Sequence, residues 1–215
     1  MKPSRPPLRR LARTLAVAGY AALAILLASC SLSRPSPAKR AFLLEPAPPA
    51  AVASPKPVGL RVGTVNVASP YRGKAFVYRL DELKFEADFY SEFFVVPAAM
   101  IAEATARALA SAGVFKRVIP PGAADEGDFV LDGFATDLYG DARDPAKPAA
   151  VLSITFYLSP ANALAAGVIW SREYRQRVPV AEPSAEALAR AWNSALTTIL
   201  ADLARDLATA ELPKP

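Results

Sequence analysis

Residues 150–158 read Ala150-Val151-Leu152-Ser153-Ile154-Thr155-Phe156-Tyr157-Leu158, and their alternation decides the fold class. Leu152, Ile154, Phe156 and Leu158 fall on one side of an extended chain, and Val151, Ser153, Thr155 and Tyr157 on the other. A period of two in β-branched and aromatic residues predicts a strand. Working outward, Asp128 to Tyr139 reads as a long strand before it and Val168 to Val178 as a strand after it. In the latter, Val168, Trp170, Tyr174 and Val178 share one face while Ser171, Glu173, Arg175 and Arg177 share the other, so one side meets water. Beyond it, Ser184 caps a predicted helix running to about Ala208. Its stripe is Leu188, Ala191, Trp192, Ala195, Leu196, Ile199, Leu200, Leu203 and Leu207.

Toward the N-terminus the same rules predict shorter elements. Phe115 to Ile119 is a strand closed by Pro120-Pro121. Pro97 opens an alanine-rich helix to Ser111, with Met100, Ile101, Ala104, Ala108 and Leu109 as its apolar stripe and Gly113 as its stop. Phe76 to Leu80 and Leu83 to Glu86 read as strands about a turn at Asp81-Glu82, and Val58 to Val67 as a strand with imperfect alternation. Strands in runs broken by two helices predict an α+β single domain, an antiparallel-rich sheet with both helices packed on one face.

The predicted domain spans residues 58–210. Residues 30–57 read as a tether and a Pro-rich loop, with a candidate short strand at 42–45 around Phe42-Leu43-Leu44. Residues 1–29 read as an export signal. Five basic residues, Lys2, Arg5, Arg9, Arg10 and Arg13, precede an apolar run of 13 residues from Leu15 to Leu27. That run is short for a bilayer-spanning helix, which needs about 20 residues. Leu27-Ala28-Ser29-Cys30 follows and resembles the bacterial lipobox, in which the cysteine thiol receives a diacylglyceryl group. Cys30 is the only cysteine, so this reading commits the one thiol to a lipid anchor. By resemblance to Gram-negative lipoproteins, Ser31 after the cysteine favours the periplasmic face of the outer membrane over the inner membrane.

Charge and composition narrow the function classes. Taking the five leader residues from 25 basic ones leaves 20, equal to the 20 acidic residues. A mature chain without excess positive charge argues against nucleic acid, whose binding rests on counterion release from phosphates. There is no histidine, which removes the usual general base and the triads built on it. No phosphate-cradling glycine loop occurs. The expectation is therefore a protein that is not an enzyme, with no metal and no cofactor beyond the covalent lipid on Cys30. Asp132, Asp137, Asp141 and Asp144 are close in sequence, but Gly140 to Pro145 has turn composition rather than a calcium-loop spacing. Trp170, Tyr174 and Trp192 read as core, with a ligand groove as the alternative. Phe85, Phe89, Tyr90, Phe93 and Phe94 crowd ten residues. They either cover a sheet edge or form an exposed patch for a partner.

The lipobox at Cys30, the Phe42-Leu43-Leu44 segment, the strand from Val58 to Val67 and Tyr78-Arg79 come in a suggestive order. So do Asp88-Phe89-Tyr90-Ser91-Glu92-Phe93-Phe94-Val95-Val96-Pro97, the Phe115 strand, the paired long strands and the alanine-rich terminal helix. This order resembles the ABC-type transport auxiliary lipoprotein component family, the PqiC-like proteins. The resemblance implies a non-catalytic accessory of an ABC-driven, MCE-type system that moves lipid between membranes. Its partners would be an MCE-domain protein or ABC transporter subunits. Self-association into a homo-oligomer stays open. The alternatives are a periplasmic carrier holding lipid in a groove between helices and sheet, and a hydrolase with a Ser-Lys or carboxylate site.

Overall fold

The computed structural model describes residues 38–162 and 167–213. The lipobox residues Leu27, Ala28 and Ser29, and Cys30 itself, lie outside them. Lys39 to Pro215 forms one compact unit. Its elements in chain order are β1 (Arg40–Phe42), β2 (Lys56–Val67), β3 (Ala75–Arg79), β4 (Phe85–Phe93), α1 (Pro97–Ala112), β5 (Phe115–Ile119), β6 (Phe129–Asp141), β7 (Ala149–Pro160), β8 (Trp170–Pro179) and α2 (Ala185–Thr209).

The fold is α+β, with one eight-stranded sheet. The long ladders β6–β7 and β7–β8 are antiparallel, as is β3–β4. Four further ladders, β1–β4, β2–β5, β2–β6 and β3–β6, are parallel. The sheet is therefore mixed. Parallel neighbours need a crossover connection, and α1 lies on the path from β2 to β5. One edge of β6 is shared, by β2 at Phe129 to Ala135 and by β3 at Gly140 and Asp141. The chain thus forks around β6.

Both helices lie on one face and touch each other, α1 over β2 and β5, α2 over β7 and β8. Between them and the sheet, Leu152, Ile154, Phe156 and Leu158 are fully buried together with Trp192, Leu196, Ile199, Leu200 and Leu203. The Trp192 indole N–H donates to Val151 O at 3.2 Å, which satisfies the one polar atom that this ring takes into the core. The α2 cap forms as the sequence predicts, with Ser184 Oγ accepting from Ala187 N–H at 3.2 Å. Gly113 ends α1 in a left-handed conformation at φ 66°, where a side chain would be strained.

Three local departures from the sequence expectations have physical causes. The uneven alternation of β2 reflects a bulge between Val62 and Val65. Asp132 Oδ1 accepts the Thr64 N–H at 2.7 Å there, and a Cβ on Gly63 would fall 2.3 Å from that same oxygen. The strand expected at Leu83 to Glu86 instead starts at Phe85 and continues to Phe93. Leu83 sits in the preceding turn, which Arg79 holds by donating to the carbonyls of Asp81 and Glu82. Finally, the extended Pro-rich loop expected from the sequence is, over much of its length, pinned to elements far along the chain. Leu44 is buried, Asn193 Nδ2 donates to Leu43 O, Ala47 N–H donates to Thr197 Oγ1 and Val52 N–H to Ala112 O.

Candidate functional site

The five aromatic residues singled out in the sequence do not share one environment. Asp88 Oδ1 accepts the backbone N–H groups of Tyr90 (2.7 Å) and Ser91 (3.0 Å), so the carboxylate folds a local turn into β4. The register with β3 shifts across this point. Before it, Phe85 stacks edge-on against Tyr139 at 5.9 Å, under the Arg79 guanidinium, on the face away from the helices. After it, Ser91 and Phe93 are buried. Phe93 meets Phe76 at 4.7 Å and Trp192 at 5.3 Å. Phe93 is core, which removes it from the candidate contact residues: a ring this enclosed meets no partner.

Phe89, Tyr90 and Phe94 are 70%, 42% and 61% exposed, too much for rings serving only as edge cover. Phe89 and Tyr90 pack T-shaped at 5.1 Å, and Lys39 Nζ sits 5.5 Å above the Phe89 ring. The same ammonium reaches Glu92 at 3.3 Å. These contacts tie the patch to the first described residues of the domain. Phe94 N–H donates to Phe42 O at 2.8 Å, so its ring is presented where β1 ends. Val95 and Val96, next in sequence, are exposed, as is Leu43, which follows Phe42. The sequence also pointed to the edge near Phe42, which includes Leu43, but sequence reasoning missed Val95, Val96 and Lys39. The signal was present in Val95-Val96, two apolar residues between a strand and a helix-opening proline, with no element of their own to bury them.

Tyr78 O–H donates to Asp88 Oδ2 at 3.4 Å. Burial, and then the charge of Asp88, push the phenol up to about 12, so it stays protonated and buttresses the carboxylate that makes the turn.

The other sequence candidates serve structure. Trp192 is fully enclosed and Trp170 packs against the core. Tyr174 O–H donates to Asp206 Oδ2 at 2.7 Å, and burial followed by this bond raises the phenol well above its ordinary value. The four carboxylates diverge to separate tasks. Asp132 holds the β2 bulge, Asp137 pairs with Arg175 at 2.8 Å, and Asp144 caps its own turn at Ala146 N–H. Asp141, nearly buried, receives Arg143 at 2.9 Å and Arg177 at 3.4 Å, and the Arg143 hydrogen bonds hold its carboxyl down at about 2. Among the described residues no group of three or more acidic or thiol side chains converges as a metal site would. No described helix is long and apolar enough to cross a membrane. An open cleft of about 470 Å³ lies between α1 and β5, lined by Ala106, Ala110, Val118, Pro120 and Pro121, with Glu103 and Arg107 at its side.

No protein-family model matches the sequence, and no curated protein matches it. Solved structures do. A Xanthomonas campestris protein described under the family model DUF330 superposes with a TM-score of 0.68 at 18% identity, over 78% of this chain and 95% of that one. In fold, the domain is similar to that DUF330 protein. An uncharacterized protein matches with a TM-score of 0.62 at 15% identity, covering 79% of this chain and 99% of the other. A PelC dodecamer from Paraburkholderia phytofirmans gives only 0.41 at 18% identity, over 76% and 95%. At these identities the likeness concerns the fold.

Proposed function

We propose that the chain is a non-catalytic, lipid-anchored periplasmic accessory of an ABC/MCE-type lipid transport system, held by Cys30 at the outer membrane. The observation that carries this reading is the placement of Phe89, Tyr90 and Phe94. They are exposed rings in β4 and just after it, at the β1 end of the sheet, with Phe89 and Tyr90 braced by Lys39 and Asp88 rather than loosely presented. Aromatic anchors on a rigid support are what a protein interface uses, because little side-chain entropy is lost on docking. Eight residues separate Cys30 from Lys39, a reach of at most about 30 Å. The tether therefore keeps the patch close to the membrane that the lipid occupies.

The test is affinity capture of the full-length chain from detergent-solubilised membranes at native expression. The wild type recovers an MCE-domain protein or ABC subunits, and Phe89→Ala loses them. Recovery of neither by the wild type overturns the proposal. The carrier alternative has the open α1/β5 cleft in its favour and, against it, the fully buried side chains that fill the interior between helices and sheet. Native mass spectrometry distinguishes the two: a reproducible co-purified lipid supports the carrier.

A further inference from the structure

We propose that the outer edge of β8 pairs antiparallel with β8 of a second copy of this chain, about a twofold axis between the two Tyr174 residues. This inference is independent of the transport reading and of the aromatic patch.

β8 pairs with β7 and, among the described residues, with nothing on its other side. Its ten residues follow β7 without a register shift. Val180 N–H donates to Pro148 O at 2.9 Å. Hydrogen-bonding pairs alternate along an antiparallel ladder, so Val178, Gln176, Tyr174 and Arg172 direct their backbone groups at β7. The N–H and C=O groups of Ser171, Glu173, Arg175 and Arg177 then point away from the sheet. No described hydrogen bond to another element uses them. Such an edge is a template for another strand.

Charge selects both the occupant and the register. With Tyr174 facing its symmetry mate, Glu173 stands opposite the partner's Arg175, and Arg175 opposite the partner's Glu173. Each of these couples is a hydrogen-bonding pair, because all four residues direct their backbone groups outward. Ser171 meets the partner's Arg177, and on the helix-covered face Trp170 meets the partner's Val178. Both are apolar residues that the single chain buries only in part. Sliding the register by two residues either way sets Glu173 against the partner's Glu173 or Arg175 against the partner's Arg175, which like-charge repulsion disfavours. Glu173 is exposed and takes part in no ion pair in the described chain, whereas Arg172, Arg175 and Arg177 each have one. The carboxylate that the single chain leaves unused is the one the second copy needs.

The experiment is sedimentation velocity of the full-length chain in detergent at ~10 μM, with hydrogen exchange of the same samples. The wild type forms a dimer, and its Glu173 and Arg175 amides are protected. Glu173→Arg weakens dimerisation by about tenfold or more and leaves those amides to exchange freely. Arg175→Glu does the same alone. Mixing the two variants restores a dimer, since each then faces opposite charge at both couples. A wild-type monomer overturns the proposal. So does an assembly of any size that neither variant weakens, or a mixture that fails to associate while both variants are folded by circular dichroism.

Discussion

The slab formed by β6, β7 and β8 and the wing formed by β1, β3 and β4 belong to one sheet but follow different rules. In the slab, polarity and burial mostly agree, the exceptions being exposed Phe134 and buried Ser153 and Asp141. Leu152, Ile154 and Phe156 go under α2, while Glu173, Arg175 and Arg177 face water. In the wing they part company. Phe93 is enclosed, and Phe89 and Phe94, just before and after it, are exposed. Hydrophobic burial explains most of the slab. The wing displays apolar rings that folding alone does not require, and that surplus is where function is to be sought.

The sharpest way to break the contrast is to truncate the two kinds of phenylalanine. Phe93→Ala removes a ring packed on Phe76 and Trp192 and should cost about 3–5 kcal/mol in urea unfolding. A loss below about 1 kcal/mol would mean that the wing core is looser than its geometry indicates.

The next effect lies at the slab. Asp141 has its carboxyl lowered from 3.8 to about 2, so its contribution is fully present above the unfolded value and fades as the pH falls through the folded one. Asp141→Asn should cost about 1–2 kcal/mol at pH 7, after allowance for the half-exposed arginines that screen it. The difference from the wild type should close between about pH 5 and pH 2, as followed by unfolding at each pH. A pH-independent difference would contradict the ion-pair account. Ser184→Ala removes the side-chain cap of α2 and should cost about 1 kcal/mol, seen as a lower denaturation midpoint with an unchanged m-value.

The smallest stability effect is the most informative about function. Phe89→Ala should stay within about 0.5 kcal/mol of the wild type while losing partner capture. Equal damage to stability would reassign Phe89 to the core.

How much was legible in the sequence follows the same division. Strands of period two such as residues 150–158, and helices with caps at Ser184 and Gly113, are local signals, and the elements formed close to where those signals lie. The parallel ladders were not legible, because pairing between β2, β5 and β6 depends on a crossover whose direction no local pattern records. The pinning of residues 44–52 depends on Asn193, Thr197 and Ala112, far along the chain. At the candidate site, the aromatic cluster was visible as composition. Its split into buried Phe93 and exposed Phe89 was not, because it turns on the two hydrogen bonds that Asp88 accepts in the middle of β4.

The most direct measurement is site-specific photo-crosslinking in intact membranes, with a benzophenone amino acid replacing Phe89 in the full-length chain. A second replacement at Phe134, exposed on the solvent face of the slab, serves as the control. A docking patch on the wing predicts an adduct containing an MCE-domain protein or an ABC subunit from position 89 and none from position 134. No adduct at position 89, or the same products from both positions, would contradict it.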